Sequence, residues 1–318
     1  MNEQNLGLRQ LYIVDFIKNI GHKKNIFAVI YLLLNVVIIT CMMHMFEENL
    51  WLCLLYSILL YGFTATVALS PVGEWMFRLF NGFKKIEDPE ILNRLEPLFM
   101  EVKERAQTKH TDFIIDDGIT LYIRDDDSVN AYAMGRRSIC ITYGLLDLND
   151  EQIKAVLGHE FGHLATHDTD LTLLITVGNF IITAIVTIIR VFLAVFNFFL
   201  FIAGLLTGED GAFARFLHMV ASLIVTLGIN GLMWAWTQLG VLLVMKSSRE
   251  AEYEADAFSC DLGYSEALLS FFRVLHSMER RAKKGERNNV FAALSSSHPA
   301  TVKRIARIEN RARLALDQ

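Results

Sequence analysis

Two long apolar runs, residues 171–206 and 212–245, restrict the fold of this chain more than any other feature. At 36 and 34 residues they extend to about 50 Å as helices, whereas a bilayer core is about 30 Å thick. Two shorter runs, residues 26–46 and 50–69, are each about 20 residues long, enough for one crossing apiece. Composition agrees: 53% of the 318 residues are hydrophobic and 20% charged, with a mean hydropathy of +0.34, too apolar for an ordinary soluble enzyme. The pattern predicts four transmembrane helices in two hairpins and a lipid bilayer as partner.

The turns of both hairpins, Glu47-Glu48-Asn49 and Thr207-Gly208-Glu209-Asp210-Gly211, contain no Lys or Arg, while Arg78, Lys84 and Lys85 follow the first hairpin and Lys246 and Arg249 the second. The positive-inside rule therefore sets the remainder of the chain in the cytoplasm. Counting 20 residues either way from Asp210 puts Arg190 and Asn230 at the cytoplasmic interface, so that residues 171–189 and 231–245 continue as helices beyond the bilayer. The competing position for Arg190 is inside the bundle, paired. Residues 1–25 read as an interfacial helix, with Arg9, Lys18, Lys23 and Lys24 around Leu11, Tyr12, Phe16, Ile17 and Ile20, and the run after it reads as a retained anchor because no small-residue cleavage site follows. The net charge of −5 gives no basic footprint for nucleic acid. Four cysteines at 41, 53, 140 and 260 form no CxxC, which argues against a disulfide framework or a cysteine metal site.

Polar sequence occupies residues 71–170 and 246–318. It contains a charged helical stretch at 90–109, strand patterns at 121–123, 130–134 and 138–142, and a hairpin turn at Gly135-Arg136-Arg137. Asn149 with Gln152 forms a capping-box pattern ahead of Ile153, Val156, Leu157, Phe161 and Leu164 at core spacing, which predicts an amphipathic helix. Inside it lies Gly158-His159-Glu160-Phe161-Gly162-His163. Histidines four apart share a helix face and can reach one zinc ion, and Glu160 stands about 100° round the helix, beside the open coordination position, as general base. A water held there has its pKa lowered from about 15.7 towards about 7. Spacing leaves the third ligand open among Glu250, Glu252, Glu254 and Asp256. His167 is one turn past His163, but Thr169 stands where a metzincin would need its third histidine. On a continuous helix His167 would lie about 12 Å along the axis from His159, at the surface or behind the ligands.

The chain resembles the HtpX-type membrane zinc metalloproteases, gluzincins related to the CAAX prenyl endopeptidases. The matching residues are Asn130-Ala131-Tyr132-Ala133, Gly144-Leu145-Leu146, His159-Glu160-Phe161-Gly162-His163, Asp168, Ser248-Arg249 with Glu252-Tyr253-Glu254-Ala255-Asp256, and His298-Pro299 with Arg304-Ile305, in family order with membrane runs in the right gaps. The resemblance implies Glu252 as third zinc ligand, Asp256 as hydrogen-bond partner of a ligand histidine, His298 near the zinc as a donor to the oxyanion, and Arg304 orienting that neighbourhood. It also implies that Asn130, Ala131, Tyr132 and Ala133 form the strand beside the cleft, where an extended polypeptide could add by backbone pairing.

The implied fold is a mainly α membrane protein with four transmembrane helices and a cytoplasmic zincin-like α+β catalytic domain with a small sheet. Its divisions are an N-terminal segment and hairpin (1–70), the first part of the catalytic domain (71–170), the long hairpin (171–245) and the second part of the catalytic domain (246–318). The implied activity is zinc-dependent endopeptidase action on misfolded or damaged membrane proteins, in a bacterial inner membrane. The chain departs from the common HtpX pattern in its short Gly135-Arg136-Arg137 turn and in Phe161-Gly162, which is closer to the prenyl endopeptidases. A prenyl-protein or signal-fragment endopeptidase is therefore the alternative, and a non-catalytic metal-binding scaffold is disfavoured by Glu160, since metal storage needs no base.

Overall fold

In the computed structural model, residues 26–44, 47–109, 118–206, 211–247, 249–285 and 301–316 are described, together with Tyr12, Phe16 and Ile17. The remainder of the expected N-terminal interfacial helix, most of the second hairpin turn and His298 lie outside them. Local chemistry starts the helices. Asn49 accepts from the amides of Trp51 and Leu52 and so opens α2 (Leu50–Ala68), which pairs with α1 (Ile26–His44). Ser70 accepts from the amides of Val72 and Gly73, with Pro71 in the first turn, and opens α3 (Pro71–Phe80). Then follow α4 (Pro89–Lys109), α5 (Asp150–Thr166), α6 (Thr169–Leu173), α7 (Asn179–Leu206), α8 (Ala212–Ser247), α9 (Arg249–Ser259), α10 (Ser265–Gly285) and α11 (Thr301–Leu316).

Among the described residues, two helical stretches are long and apolar enough to cross a membrane, Leu50–Ala68 and Thr169–Gly204, and Val29–Cys41 is a shorter apolar helix. The run expected as one α-helix from residue 171 is divided: a widened π-helical turn, Leu174–Gly178, separates α6 from α7. Leu173, Leu174, Ile175 and Val177 are buried there in a core with Ala65, Ala68 and Leu69. Polar side chains join the long helices. Asn179 Nδ2 donates to Tyr31 Oη (2.6 Å), Trp236 Nε1 donates to Asn35 Oδ1 (2.9 Å), and the Tyr31 and Trp236 rings stack at 5.4 Å. These bonds fix the register of α1 against α7 and α8.

A four-stranded sheet lies beside α5. Its order is β1 (Lys84–Lys85), β2 (Thr120–Arg124), β4 (Ser138–Thr142), β3 (Ala131–Met134), with β2 and β4 parallel and the outer pairs antiparallel. The hairpin turn forms as its sequence predicts, with Gly135 left-handed at φ 55°, and it leaves β3 on the sheet edge. Helix α5 has its full capping box: Asn149 Oδ1 accepts from Gln152 N and Gln152 Oε1 accepts from Asn149 N. Its inner face joins Ile139 and Ile141 of β4, Phe99 and Val102 of α4, and Leu268 and Phe272 of α10 in one core.

One expectation is corrected. The helix does not run on through His167, which takes a left-handed conformation (φ 56°, ψ 27°) and ends α5 at Thr166 without a glycine. The chain turns there, and Asp168 folds back along the helix instead of continuing past it.

Helix α9 crosses α5 at unusually short range. A Cβ on Gly162 would lie 2.8 Å from Ala255 Cα, and Ser259 Oγ donates to the Ala155 carbonyl at 2.8 Å. Gly162 is thus required by contact and not by backbone conformation. Gly162→Ala is expected to lower the unfolding free energy by about 1–3 kcal/mol through overpacking, read by denaturant unfolding in detergent. The same variant should bind metal more weakly, because α9 carries Glu252.

Candidate metal centre

On α5, His159 and His163 stand one turn apart with their rings perpendicular (89°) and their Nε2 atoms 3.1 Å from each other. The crossing helix α9 brings Glu252 to the same point: its Oε2 lies 3.5 Å from His159 Nε2 and its Oε1 3.7 Å from His163 Nε2. His159 and Glu252 are buried and His163 nearly so. Ligand atoms held about 2.0–2.1 Å from one tetrahedral zinc are about 3.3 Å apart, so the three side chains fit a single ion. Two imidazoles and one carboxylate also make the three-ligand donor set of catalytic zinc sites, as opposed to the closed four-ligand set of structural ones.

Each imidazole is held from behind by a carboxylate. Asp256 Oδ1 is 3.0 Å from His159 Nδ1, and Asp168 Oδ2 is 2.9 Å from His163 Nδ1. With Nδ1–H donating to these carboxylates, the Nε2 lone pairs face the common point. Arg304, reaching in from α11, balances the acids. Its Nη1 is 2.9 Å from Glu252 Oε2, its Nε donates to Asp256 Oδ2 at 2.8 Å, and its guanidinium lies over the Phe272 ring at 4.3 Å. A buried carboxylate pair without such a cation would carry a large desolvation cost.

The same charges raise the histidines. Burial opposes protonation of His163, but Asp168, Glu252 and Glu160 outweigh it and lift the imidazole to about 10. His159 is raised as well: burial and Arg304 act against the proton, while Asp256 and Glu252 favour it. Metal uptake must therefore displace protons.

Glu160 reaches the sheet edge, where its Oε2 accepts from the Ala133 amide at 2.6 Å. The β3–β4 register points the N–H groups of Ala131 and Ala133 away from β4, so these are the free-edge donors. The Ala131 amide donates to Asn130 Oδ1 at 2.9 Å, and Asn130 Nδ2 donates to Tyr132 Oη at 2.8 Å. Of the four residues Asn130, Ala131, Tyr132 and Ala133, Ala133 is thus bonded to Glu160, Ala131 is capped by Asn130, and Asn130 is bonded to Tyr132. Sequence reasoning gave Asp168 no role. Its signal was the Asp five residues after His163, a spacing that reaches back only because His167 is left-handed.

Two expectations follow for the centre. Asp168→Asn should weaken metal binding about 10–100-fold, read by competition with a chromogenic chelator. For the native protein the same assay should show affinity rising with pH through pH 9, since protons and metal compete for His159 and His163 and the proton on His163 is lost only near pH 10. A pH-independent affinity would contradict the charge arrangement described above.

Comparison with known proteins agrees with this geometry. The chain is 27% identical to a protein named Protease HtpX from Idiomarina loihiensis over 271 residues, covering 79% of this chain and 84% of that one. It is 25% identical over 282 residues to Protease HtpX homolog of Bacillus subtilis, covering 81% and 85%. It is 27% identical over 244 residues to CAAX prenyl protease 1 homolog of Dictyostelium discoideum, covering 74% and 51%. The sequence profile described as Peptidase family M48 matches residues 94–312, a span that includes His159, Glu160, His163, Asp168, Glu252, Asp256 and Arg304. This chain belongs to peptidase family M48.

Proposed function

We propose that this peptidase is a zinc-dependent endopeptidase of four membrane spans, with its catalytic domain on the cytoplasmic side, that hydrolyses misfolded or damaged membrane proteins. The observation that carries the reading is the meeting of His159 Nε2, His163 Nε2 and Glu252 within 3.7 Å, with Glu160, on the same helix as the two histidines, bonded to the edge strand at the Ala133 amide. His159, His163 and Glu252 hold the metal. When bound, zinc supplies Lewis-acid polarisation of the scissile carbonyl and acidifies the attacking water. Glu160 takes the proton from that water and returns it to the leaving amine. Asp256 and Asp168 fix the histidine tautomers, and Arg304 orients Glu252 and Asp256. His298 serves as a donor to the oxyanion.

Substrate selection follows from β3. An extended peptide adding outside this strand would place its carbonyls at the Ala131 and Ala133 amides, displacing Asn130 Oδ1 and Glu160 Oε2. The incoming backbone thereby frees the Glu160 carboxylate for proton transfer. Recognition by backbone amides reads extension and not side-chain identity, which suits unfolded polypeptide. The long apolar helices, leading directly into α9 and out of α6, favour substrates in or near the bilayer, with α1, α2, α7 and α8 as the four spans. The catalytic domain then consists of residues 71–170 and 246–318, joined through the α5–α9 crossing. A prenyl-protein endopeptidase is the second reading, supported by Phe161-Gly162 and by the similarity to the Dictyostelium protein; a single defined cut in a lipidated peptide, with unfolded membrane proteins left intact, would establish it instead.

Purified full-length protein with zinc restored is expected to digest casein, and Glu160→Gln to retain zinc while losing cleavage; equal activity in the two overturns the assignment. Ala133→Pro deletes an outward amide without removing a β3–β4 bond. In the substrate complex that amide donates to a neutral peptide carbonyl, a bond worth about 0.5–1.5 kcal/mol, so kcat/KM should fall about 2–10-fold with zinc content unchanged.

A further inference from the structure

Helix α3 has an apolar face that the catalytic site does not use. Val72, Trp75, Leu79 and Phe80 are all exposed, Trp75 at 55% and Leu79 at 59%; the first three recur at the three- and four-residue spacing of one helical stripe, and Phe80 stands at its edge. The opposite face is committed to the protein. Gly73 has no room for a Cβ against the Ala68 backbone, and Glu74 is buried, with its Oε1 accepting from the Arg136 amide (2.7 Å) and its Oε2 from Ser138 Oγ (3.2 Å).

We infer that α3 lies flat in the headgroup layer of the bilayer, with Val72, Trp75, Leu79 and Phe80 sunk into the acyl boundary. The occupant follows from chain continuity. Only Leu69 and Ser70 separate the end of α2 from Pro71, and two residues reach about 7 Å at most, too short to carry α3 out of the interface. The stripe also continues onto a second helix at the same level: Phe80 packs against the exposed ring of Phe180, in the first turn of α7, at 4.4 Å. Lys84 and Lys85, just beyond α3, are exposed and suit anionic headgroups, and an indole such as Trp75 is at home in this layer. A soluble partner would have to displace lipid to reach the face.

The seat has a consequence for the site. Through Glu74, α3 grips the turn that ends β3, and a Cβ at Gly135 would collide with the Glu74 carboxylate. The end of the substrate strand is therefore fixed to the interfacial helix, which holds the cleft at a set height above the membrane and favours segments emerging from it. This inference rests on the proposed reading of α2 as a span.

The test uses the full-length protein in phosphatidylcholine–phosphatidylglycerol vesicles, with a small fluorescent amino acid introduced singly at Trp75, Leu79, Leu59 or Glu87. Probes at 75 and 79 should be quenched at least about twofold more by lipids brominated near the headgroup than by aqueous iodide, the probe at 59 by deep bromines, and the probe at 87 by iodide. In a Trp51→Phe background, so that the tryptophan at the other end of α2 does not contribute, Trp75→Phe should reduce the shallow-quenched part of the native tryptophan emission, which gives the same readout without a bulky label. Iodide quenching at 75 and 79 with lipid quenching at 59 overturns the inference alone. Iodide quenching at 59 overturns the spanning reading and this inference with it. Shielding of 75 and 79 from both quenchers would assign the face to protein, such as a second copy of the chain, and also overturns it.

Discussion

The close crossing of α5 and α9 is the constraint on which the site depends. Glu252 is 93 positions from His159 and separated from it by both long apolar helices, so only packing brings them together. The contact surface is made of small residues, Gly158 and Gly162 on one helix and Ala255 and Ser259 on the other. A side chain larger than hydrogen at 162 would push α9 outward by the width of the group. Because a metal ligand set tolerates only a few tenths of an ångström, the packing seam and the metal geometry are one requirement.

Charge is the second requirement. Glu252, Asp256 and Asp168 are gathered with two histidines in a buried space, and Arg304 supplies a guanidinium with a carboxylate on either side. Burial raises the cost of each isolated charge, whereas mutual contact repays it only when every oxygen has a partner. The residues behind the ligands therefore do two things together: they aim the Nε2 lone pairs, and they set a cation against the buried carboxylates.

The edge strand connects this chemistry to both substrate and membrane. Its outward amides are engaged by Glu160 and Asn130, so under the proposed backbone recognition an incoming strand would compete with Glu160 for one of them. Its far end is tied through Gly135 and Arg136 to Glu74, on the helix next to the first apolar hairpin. Strand β3 is thus bonded at Ala133 to Glu160 and, through the turn after it, at Arg136 to Glu74 of α3.

What the sequence by itself determined is what short-range rules encode: the start of α5 from its capping box, the β3–β4 hairpin from its Gly-Arg-Arg turn, the apolar helices from run length, and the two histidines with their glutamate from helical spacing. Each depends on residues within a few turns of one another. The choice among Glu250, Glu252, Glu254 and Asp256 was not available at that range, because all four occupy one short helix and differ only in which side meets α5; resemblance alone separated them. Tertiary structure decided the left-handed turn at His167 that returns Asp168 to His163, the parallel pairing of β2 with β4 that exposes β3, the entry of Arg304 between Glu252 and Asp256, and the outward face of α3. These depend on contacts between segments distant in the chain, where steric fit and charge compensation select one arrangement out of many that local propensity allows equally.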